Sequence, residues 1–434
     1  MTTSSGSPVV VIGGGAAGLV AAACAAIAGA DVTLIERTAD GGRKILISGG
    51  GRCNVLPSVL APERFVSDAP PHLLRAMLRA WPLHEQRAFF ERDLGIPLAL
   101  EEGSGKLFPR SNRARDVRDG LVAFARERGV RMQFGTCVTG LTATGSGFTV
   151  TTADGERPAS RVVLATGGLS VPMTGSDGIG LGLAAGLGHR MIDTYPALTP
   201  LLSSSPGHAA LSGLSLTVRL RGKYGKKTLD TSGGFLFTHR GYSGPSVLDL
   251  SHLVTRRRRS ESAPPVSSAT QPGSVSSAVI RVQWSALDAA AWQRELDAPS
   301  ALVAPVLARH IPARLAEQLM HEAGVPGDRR TSSLRRSERL SLINRLTSCE
   351  LPFSGDEGYK KAEVTGGGVA LDEVEPRTLE SRRCPGLYLC GEMLDAFGPI
   401  GGHNFAWAWA TGRAAGLAAG ANVEAGLQTR LEPR

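Results

Sequence analysis

Two glycine-rich segments, one near each end of the chain, constrain the fold more than any other feature. The first, at residues 13–18, matches the pattern G-x-G-x-x-G and directly follows an apolar run at 9–12. The second, at residues 398–404, comes shortly after another apolar run at 387–390. Each combination predicts a buried strand, a glycine turn and the start of a helix. We therefore expect both ends of the chain to fold around one long ligand.

The spacing around the first segment is typical of a dinucleotide-binding βαβ unit. Gly13 permits the tight turn, Gly15 lets the backbone approach a pyrophosphate, and Gly18 lets the helix pack against the strand. The helix N-terminus then presents free N–H groups and a partial positive charge to the phosphates. Glu36, 23 residues after Gly13, ends the next predicted strand, where a carboxylate accepts hydrogen bonds from an adenosine ribose. Because a carboxylate repels a 2′-phosphate, FAD or NAD fits better than NADP.

A glycine-rich loop at residues 41–54 decides between these two dinucleotides. A dehydrogenase needs no such loop, whereas a flavoprotein needs backbone N–H groups beside the pyrophosphate and the isoalloxazine ring. Arg43, Lys44 and Arg52 can offset phosphate charge there. Near the other end of the chain, a helix that begins near His403 would stabilise negative charge on the reduced flavin ring. The sequence therefore predicts FAD.

Composition and charge limit the remaining function classes. The net charge is +9, but the basic residues are scattered apart from the arginine run at 256–259, which favours a solvated surface and a small-molecule substrate over nucleic-acid binding. The six cysteines form no CxxC pair and no metal-ligand spacing, so we predict no metal site and a reduced, cytoplasmic chain. There is no signal-peptide pattern, and the apolar run at 19–27 is shorter than a membrane span.

The sequence pattern also predicts a domain organisation. Residues 197–285 alternate apolar and polar side chains, which indicates an inserted β-barrel-like domain with a flexible Arg/Ser/Pro-rich loop at 256–278. Residues 286–358 have helical spacing and predict a small helical insert. The flanking parts, 1–196 and 359–425, are predicted to be the two halves of one FAD-binding α/β domain.

Seven segments resemble the bacterial HI0933-like flavoproteins, also called the aminoacetone-oxidase-like or BaiN-like family. They are KILISGGGRCN at 44–54, KLFPRS at 106–111, ATGG at 165–168, LFTHRGYSGP at 236–245, EVTGGGV at 363–369, GE at 391–392 and GGHNFAW at 401–407. The resemblance implies a glutathione-reductase-type, Rossmann-like FAD domain, split in sequence by a β-barrel-like domain and a small helical domain. It also implies oxidoreductase chemistry, on bile-acid-like enones in one branch and on amines in another. The chain departs from the family pattern at His403, where relatives often carry Tyr.

The motifs and the resemblance together predict the site residues. The predicted FAD-binding positions are Gly13, Gly15, Ala16, Ala17, Gly18, Glu36, Arg37, Gly42, Arg43, Lys44, Ser48, Gly49, Gly50, Arg52, Cys53, Asn54, Val138, Ala165, Thr166, Gly167, Gly168, Gly391, Glu392, Gly401, Gly402, Asn404 and Phe405. Among these, the resemblance implies that Val138 meets the adenine through its backbone. The candidate proton donors are His239, Tyr242 and His403.

These observations predict an FAD-dependent oxidoreductase. It would transfer hydride between the flavin, reduced by NAD(P)H, and a small organic substrate such as a dehydro-steroid or bile-acid-like enone. The sequence contains no second βαβ fingerprint for a nicotinamide domain, so NAD(P)H would bind transiently at the flavin face. The alternatives are an amine-oxidase-type flavoenzyme and a non-catalytic FAD-binding or RNA-associated flavoprotein.

Overall fold

The computed structural model describes residues 8–224, 227–256, 278–297 and 301–421. The chain divides into two compact units. The first unit combines the residues up to Thr194 with those from Val364 onward, and the second unit spans Tyr195–Glu363. Most of the Arg/Ser/Pro-rich loop predicted at 256–278 lies outside the described residues.

The described residues form twenty strands and fourteen α-helices. The strands are β1 Pro8–Ile12, β2 Asp31–Glu36, β3 Leu56–Pro57, β4 Leu98–Glu101, β5 Lys106–Pro109, β6 Arg131–Phe134, β7 Val138–Thr144, β8 Gly147–Thr152, β9 Gly155–Ala159, β10 Arg161–Leu164, β11 Met191–Ala197, β12 Leu201–Leu202, β13 Ser215–Tyr224, β14 Lys227–Thr238, β15 Gly241–Ser243, β16 Val279–Gln283, β17 Cys349–Glu350, β18 Gly355–Asp356, β19 Val364–Val369 and β20 Leu387–Leu389. The helices are α1 Ala16–Ile27, α2 Arg43–Ile47, α3 Pro71–Arg79, α4 Leu83–Ala88, α5 Ala114–Glu127, α6 Ile179–Gly186, α7 Pro206–Ala209, α8 Pro245–Leu250, α9 His252–Thr255, α10 Ala289–Leu296, α11 Val303–Ala308, α12 Ala313–Glu322, α13 Arg336–Ser348 and α14 His403–Gly420. None of the helices in the described ranges combines the length and apolar character needed to cross a membrane.

Five parallel strands form the central sheet of the first unit, in the order β20-β10-β1-β2-β6. On the middle strand, Val11 lies opposite Val163 of β10 and Leu34 of β2. All three side chains are completely buried, as expected for a parallel sheet that is covered on both faces. The strand β20 from the C-terminal part of the chain pairs with β10, so both parts of the unit share one sheet. The predicted α/β fold class with a Rossmann-type sheet is confirmed.

Helix α14 packs against α1 along a stripe of glycines. Gly412, Gly416 and Gly420 recur at every fourth residue and therefore lie on one face of α14. A Cβ atom on Gly416 would lie 2.2 Å from the backbone oxygen of Ala21, and one on Gly412 or Gly420 would lie 2.4 Å from a backbone oxygen of α1. Such distances are far below van der Waals contact. The two helix backbones therefore approach as closely as they do only because these positions carry no side chain.

The second unit is built on a seven-stranded sheet in the order β17-β16-β13-β14-β15-β12-β18. Its long central pair, β13 and β14, is antiparallel. Phe235, Phe237 and Trp284 from the sheet region share one hydrophobic core with Trp292 of α10 and Leu315 of α12. The β-rich and helical parts of the second unit are thus joined by a common core.

The stripe on α14 predicts different outcomes for two identical substitutions in helices. Gly416→Ala should lower the free energy of unfolding by about 1–3 kcal/mol, because the new methyl group overpacks the contact with α1. Gly182 in α6 is exposed, and a Cβ there would meet no atom within 4 Å. Gly182→Ala should therefore raise the free energy of unfolding by ~0.5–1 kcal/mol through helix propensity. Chemical denaturation of both variants measures the two effects, and equal effects would contradict the packing argument.

Candidate functional site

The carboxyl ends of three neighbouring parallel strands bring the predicted cofactor segments together. Residues 13–18 follow β1, residues 165–168 follow β10, and residues 390–392 follow β20. In open parallel sheets, ligands bind in the crevice outside these strand ends. We call this part of the first unit the carboxyl-edge site.

The three glycines of the first motif have different surroundings. A Cβ on Gly13 would lie 2.5 Å from the backbone oxygen of Ala165, and one on Gly18 would lie 1.8 Å from the backbone oxygen of Gly13. A Cβ on Gly15 would meet no atom within 4 Å. Helix α1 begins at this glycine without a side-chain cap, which leaves the N–H groups of its first turn, including those of Ala16 and Ala17, available to an anion. Gly13 and Gly18 are therefore needed by the fold, while Gly15 leaves room for a ligand.

Glu36 is buried at the end of β2 and already accepts three hydrogen bonds. Its Oε2 accepts from the backbone N–H of Gly14 at 2.6 Å. Its Oε1 accepts from the backbone N–H of Thr38 at 2.7 Å and from the Thr38 hydroxyl at 2.6 Å. Because a carboxylate has about four acceptor positions, Oε2 can accept one further bond, as the predicted ribose contact requires. Arg37, predicted beside it, forms an ion pair with Asp177.

The loop after β2 contains several residues whose backbone lies in the left-handed region. Residues 49–51 and Cys53 have φ values between +56° and +84°. Successive N–H groups in such turns form concave anion-binding surfaces. The Cys53 thiol is completely buried, and burial raises its pKa to about 12 although a hydrogen bond with Ser48 acts in the opposite direction. Cys53 is therefore a neutral packing residue at physiological pH rather than a reactive thiolate.

A partly buried ion pair joins this loop to the C-terminal part of the chain. The Nζ of Lys44 donates to Glu392 Oε2 and to the Ser170 hydroxyl, both at 2.7 Å. The other carboxylate oxygen of Glu392 accepts from the Ser170 hydroxyl at 2.6 Å and from the backbone N–H of Thr365 at 3.0 Å. An ammonium group has three N–H donors, so Lys44 keeps one for a ligand. Two predicted FAD-binding residues of opposite charge, Lys44 and Glu392, are thus paired with each other.

The Lys44 ammonium controls the ionisation of Glu392. Burial alone would raise the pKa of this carboxyl group, but the charge of Lys44, with hydrogen bonds from Lys44, Ser170 and Thr365, lowers the pKa below its ordinary value of 4.5. Glu392 is therefore ionised at neutral pH. Sequence analysis did not identify Ser170 or Thr365 as site residues. Thr365 lies within the quoted EVTGGGV segment, and Ser170 follows the ATGG segment by two positions.

Helix α14 begins at a second glycine turn. A Cβ on Gly402 would lie 2.5 Å from the carbonyl carbon of Leu56, and no side chain caps the helix at this position. The Asn54 amide accepts from the backbone N–H of Gly402 at 2.9 Å and donates to the Leu56 oxygen at 3.1 Å. The Asn404 amide accepts from the Gly398 N–H at 2.8 Å and donates to its oxygen at 2.9 Å. The two asparagines therefore hold the turn in place.

Aromatic side chains of α14 tie it to the strand ends. The Trp407 Nε1 donates to the oxygen of Gly391 at 3.0 Å, and the Trp409 Nε1 donates to the oxygen of Val55 at 3.1 Å. Phe405 stacks on Trp409 with 5.2 Å between ring centroids. Thr411 accepts a bond from the backbone N–H of Gly391 at 2.9 Å. These contacts fix the α14 N-terminus beside the segment that carries Glu392.

Several predicted site cations already have carboxylate partners. Arg52 Nη1 lies 2.9 Å from Glu101 Oε1, and its guanidinium lies 4.0 Å above the centre of the Phe108 ring. Arg43 Nε lies 2.8 Å from Asp40 Oδ1. Each arginine is therefore partly neutralised by a carboxylate, although its guanidinium keeps further N–H donors.

The other predicted cofactor positions also lie in the first unit. Thr166 donates to the sulfur of Met393 at 3.4 Å. A Cβ on Gly168 would lie 2.3 Å from the hydroxyl of Thr365, so this glycine packs against the Glu392 cluster. Val138 is buried at the start of β7. The remaining positions lie on loops or helix starts of the same unit: Gly42, Ser48, Gly49, Gly50, Gly167 and Gly401.

The surroundings of His403 do not support its predicted role as a proton donor. The residue is 3% exposed, and both ring nitrogens are closed off from solvent. A nitrogen that faced an open ligand cavity would be reachable by solvent. Burial, with the charge of Arg64, lowers the pKa of His403 to about 4 although backbone contacts with Val59 and Pro399 act in the opposite direction, so the ring is neutral. His403 is enclosed by the protein near Phe65 rather than presented to a substrate.

The other two candidate proton donors belong to the second unit. Tyr242 is completely buried, and its hydroxyl lies 2.6 Å from His208 Nδ1 and 3.0 Å from the Ser203 hydroxyl. His208 Nε2 lies 3.0 Å from Glu322 Oε1, so Tyr242 belongs to a largely buried network that the sequence pattern did not reveal. Burial also raises the pKa of Tyr242 far above its ordinary value. His239 is exposed and is therefore the one candidate of the three that a substrate could reach.

Comparison with known proteins gives one family and several relatives. The family profile described as "HI0933-like protein Rossmann domain" matches residues 7–418. The chain is 32% identical over 393 residues to the 3-dehydro-bile acid delta(4,6)-reductase of Clostridium scindens, covering 90% of this chain and 93% of the relative. It is 32% identical over 395 residues to a ribosomal RNA dihydrouridine synthase of Escherichia coli, covering 89% and 92%. A protein of the same name from Haemophilus influenzae is 30% identical over 400 residues, covering 90% and 92%.

The glycine surroundings predict that two substitutions in one motif fail for different reasons. Gly15→Val should leave the thermal unfolding midpoint almost unchanged, because its side chain enters open space, but should abolish dinucleotide binding. Gly18→Ala should lower the unfolding midpoint, because its methyl group would lie 1.8 Å from the Gly13 oxygen. Thermal unfolding and FAD titration separate the two defects. A Gly15→Val protein that binds FAD normally would contradict the assignment of the cradle.

The partly buried ion pair predicts a pH-dependent loss of stability. Lys44→Met should lower the free energy of unfolding at neutral pH by about 1–3 kcal/mol, because it leaves Glu392 ionised without its cation. The folded-state pKa of Glu392 lies below its unfolded value, so the ionised group stabilises the fold above the ordinary carboxyl range and loses this contribution as the pH falls. The difference between wild type and variant should therefore shrink in acid.

Urea unfolding at neutral and acidic pH measures this difference. Arg43→Met is the matched control, since Arg43 lies on the same helix and its ion pair with Asp40 is largely exposed. The control should change the free energy of unfolding by about 0–1 kcal/mol. A Lys44→Met effect that does not depend on pH would show that lost packing, not the ion pair, is responsible.

Proposed function

The chain belongs to the HI0933-like family, and from that premise we propose that it is an FAD-dependent reductase of a carbon–carbon double bond conjugated to a carbonyl group. The observation that carries this proposal is the carboxyl-edge site. There, the open space at Gly15 lies at the uncapped N-terminus of α1, and the same unit holds the uncapped N-terminus of α14. Two such helix starts suit a ligand that carries phosphates at one end and a ring that becomes anionic at the other.

The residues of the carboxyl-edge site fit FAD. The first turn of α1 would hold the pyrophosphate, and the unused acceptor position of Glu36 would hold the adenosine ribose. The third N–H of Lys44 and the backbone N–H groups of residues 49–51 would contact the phosphate or ring oxygens. The dipole of α14 would stabilise negative charge on the pyrimidine part of the ring. When bound and reduced, FAD supplies the hydride.

Two relatives with different substrates support this class of reaction. The name of the Clostridium scindens relative describes the reduction of double bonds in a 3-oxo bile acid. The product named for the Escherichia coli relative, dihydrouridine, is uridine with its C5–C6 double bond saturated, next to the C4 carbonyl. Both names therefore describe the reduction of a carbon–carbon double bond that is conjugated to a carbonyl group. Because the chain is 32% identical to each, the proposal names the bond rather than the molecule.

We assign the reducing equivalents to NADPH or NADH. The sequence contains no separate nicotinamide-binding fingerprint, so the nucleotide would reach the flavin transiently and leave before the substrate enters. Both half-reactions would then occur at one site. This arrangement predicts that the nucleotide and the enone compete with each other.

Anaerobic spectroscopy of the purified protein tests this function. We expect a yellow protein whose flavin band is bleached by NADPH or NADH and restored by a 4-en-3-one steroid or another enone, but not by the saturated ketone. Gly15→Val protein should show neither change. Bleaching by amines with no response to nicotinamide nucleotides would instead establish an amine oxidase, and no bleaching by any donor would leave a flavoprotein without turnover.

A further inference from the structure

The positive charge of the chain is concentrated in the second unit. Residues 195–363 contain 22 Lys and Arg against 14 Asp and Glu, a net charge of +8, whereas the whole chain has 48 against 39, a net charge of +9. The first unit is therefore almost neutral, at +1. Four of these positive charges come from the arginine run at 256–259, which the sequence analysis already set apart from the otherwise scattered basic residues. A marked charge difference between two parts of one chain indicates a polyanionic partner for the charged part.

Part of this charge lies on one face of the seven-stranded sheet. On β13, the exposed Arg219, Arg221 and Lys223 alternate with the buried Val218 and Leu220. Because successive side chains of a strand point to opposite faces, the three cations project from the same face. They therefore form a row along the strand.

The neighbouring strand adds a fourth cation in an unfavourable position. Arg281 of β16 lies directly opposite Arg221, and like charges at opposed positions repel each other. Two carboxylates on adjoining strands compensate in part. Asp230 Oδ1 lies 2.9 Å from Arg221 Nε and 3.7 Å from Arg219 Nε, and Glu350 Oε2 lies 3.7 Å from Arg281 Nη2. Four cations thus face two carboxylates on the described parts of β13, β14, β16 and β17, which leaves this face positive.

A shallow cavity of about 200 Å³ lies among these side chains. Its lining combines the three arginines and one carboxylate, Asp230, with the neutral hydrogen-bonding groups of Gln283, Thr347 and Ser348. Guanidinium groups bind phosphate through two parallel N–H bonds, and amide and hydroxyl groups supply further donors to phosphate oxygens. Because the arginine side chains are about half exposed, they can bind a phosphate without rearrangement of the sheet.

We propose that this surface, which we call the basic sheet face (Arg219, Arg221, Lys223 and Arg281), binds the phosphate backbone of RNA. The inference deepens the proposed function and rests on it, because uracil is the base whose C5–C6 double bond is conjugated to a carbonyl. Phosphate contacts position a nucleic acid and do not read its sequence. The basic sheet face would therefore contribute affinity for RNA rather than selection of the base.

Salt-dependent binding of a fluorescent RNA hairpin with uracil in its loop tests the proposal on the holoenzyme. The test variant is Arg219→Gln/Arg221→Gln/Arg281→Gln. The matched control, Arg79→Gln/Arg115→Gln/Arg126→Gln, removes the same charge from exposed helical positions of the first unit. We expect the test variant to bind the RNA at least about tenfold more weakly than wild type. The slope of the logarithm of the RNA-binding constant against the logarithm of the salt concentration should become shallower by about 2–3, which is about 1 for each lost phosphate contact. The control should retain the wild-type slope.

Each alternative outcome contradicts the proposal. Equal losses in both variants would show that net charge alone attracts RNA, and unchanged binding in the test variant would remove the basic sheet face from the interaction. Binding to phosphatidylglycerol vesicles without binding to RNA would assign the face to an anionic lipid surface. Arg219→Lys/Arg221→Lys/Arg281→Lys should keep most of the dependence of RNA binding on salt, since it preserves the charge. A complete loss of RNA binding in this variant would contradict recognition of the phosphate backbone.

Flavin bleaching by NADPH, measured on the same proteins, distinguishes a failure of the reductase proposal from a failure of the RNA-binding proposal. We expect all three arginine variants to be reduced at the wild-type rate, because none of their substitutions lies in the carboxyl-edge site. RNA binding by a protein whose flavin never turns over would refute the reductase and leave the basic sheet face intact. Reduction of a free enone without RNA binding would refute the basic sheet face alone.

Discussion

The close approach of helices α1 and α14 is the contact on which the first unit depends. The glycine stripe of α14 leaves no side chain between the two helices, so their backbones pack directly against each other. Helix α1 begins at the glycine cradle that follows β1, and α14 begins at the second glycine turn. Their contact therefore fixes the positions of two uncapped helix starts from opposite ends of the chain. The site for a dinucleotide with two chemically different ends follows from this single packing arrangement.

Local sequence was sufficient to predict the features that depend on backbone geometry. The strands β1 and β2 and the helix between them occur where the hydrophobic pattern placed them, and the distances at Gly13, Gly15 and Gly18 agree with the roles that the motif assigns to them. These features are predictable because each is set by residues within one βαβ unit. The α/β fold class was equally accessible, since the apolar runs at both ends have the composition of buried parallel strands.

Side-chain partners were not predictable, because they depend on which distant segments meet. Lys44 and Glu392 are 348 positions apart, and the sequence assigned both to the ligand without indicating that they bind each other. Arg52 likewise has the chemistry of a phosphate ligand but is paired with Glu101. The residue types of His403 and Tyr242 suggested proton transfer, yet burial closes both from solvent. The burial of a polar side chain such as these depends on the assembled core and is not indicated by its neighbours in the sequence.

The assembly of the first unit from both ends of the chain determines the order in which the protein can fold during synthesis. The second unit is contiguous, from Tyr195 to Glu363, and can be completed while the rest is still being translated. The apolar face of α1 and the free edge of β10, by contrast, have no partner until β20 and α14 emerge from the ribosome. Nascent chains emerge N-terminus first, and exposed apolar surface and unpaired strand edges favour aggregation. We therefore expect the newly made N-terminal segment to depend on chaperones for most of the time that the ribosome needs to finish the polypeptide.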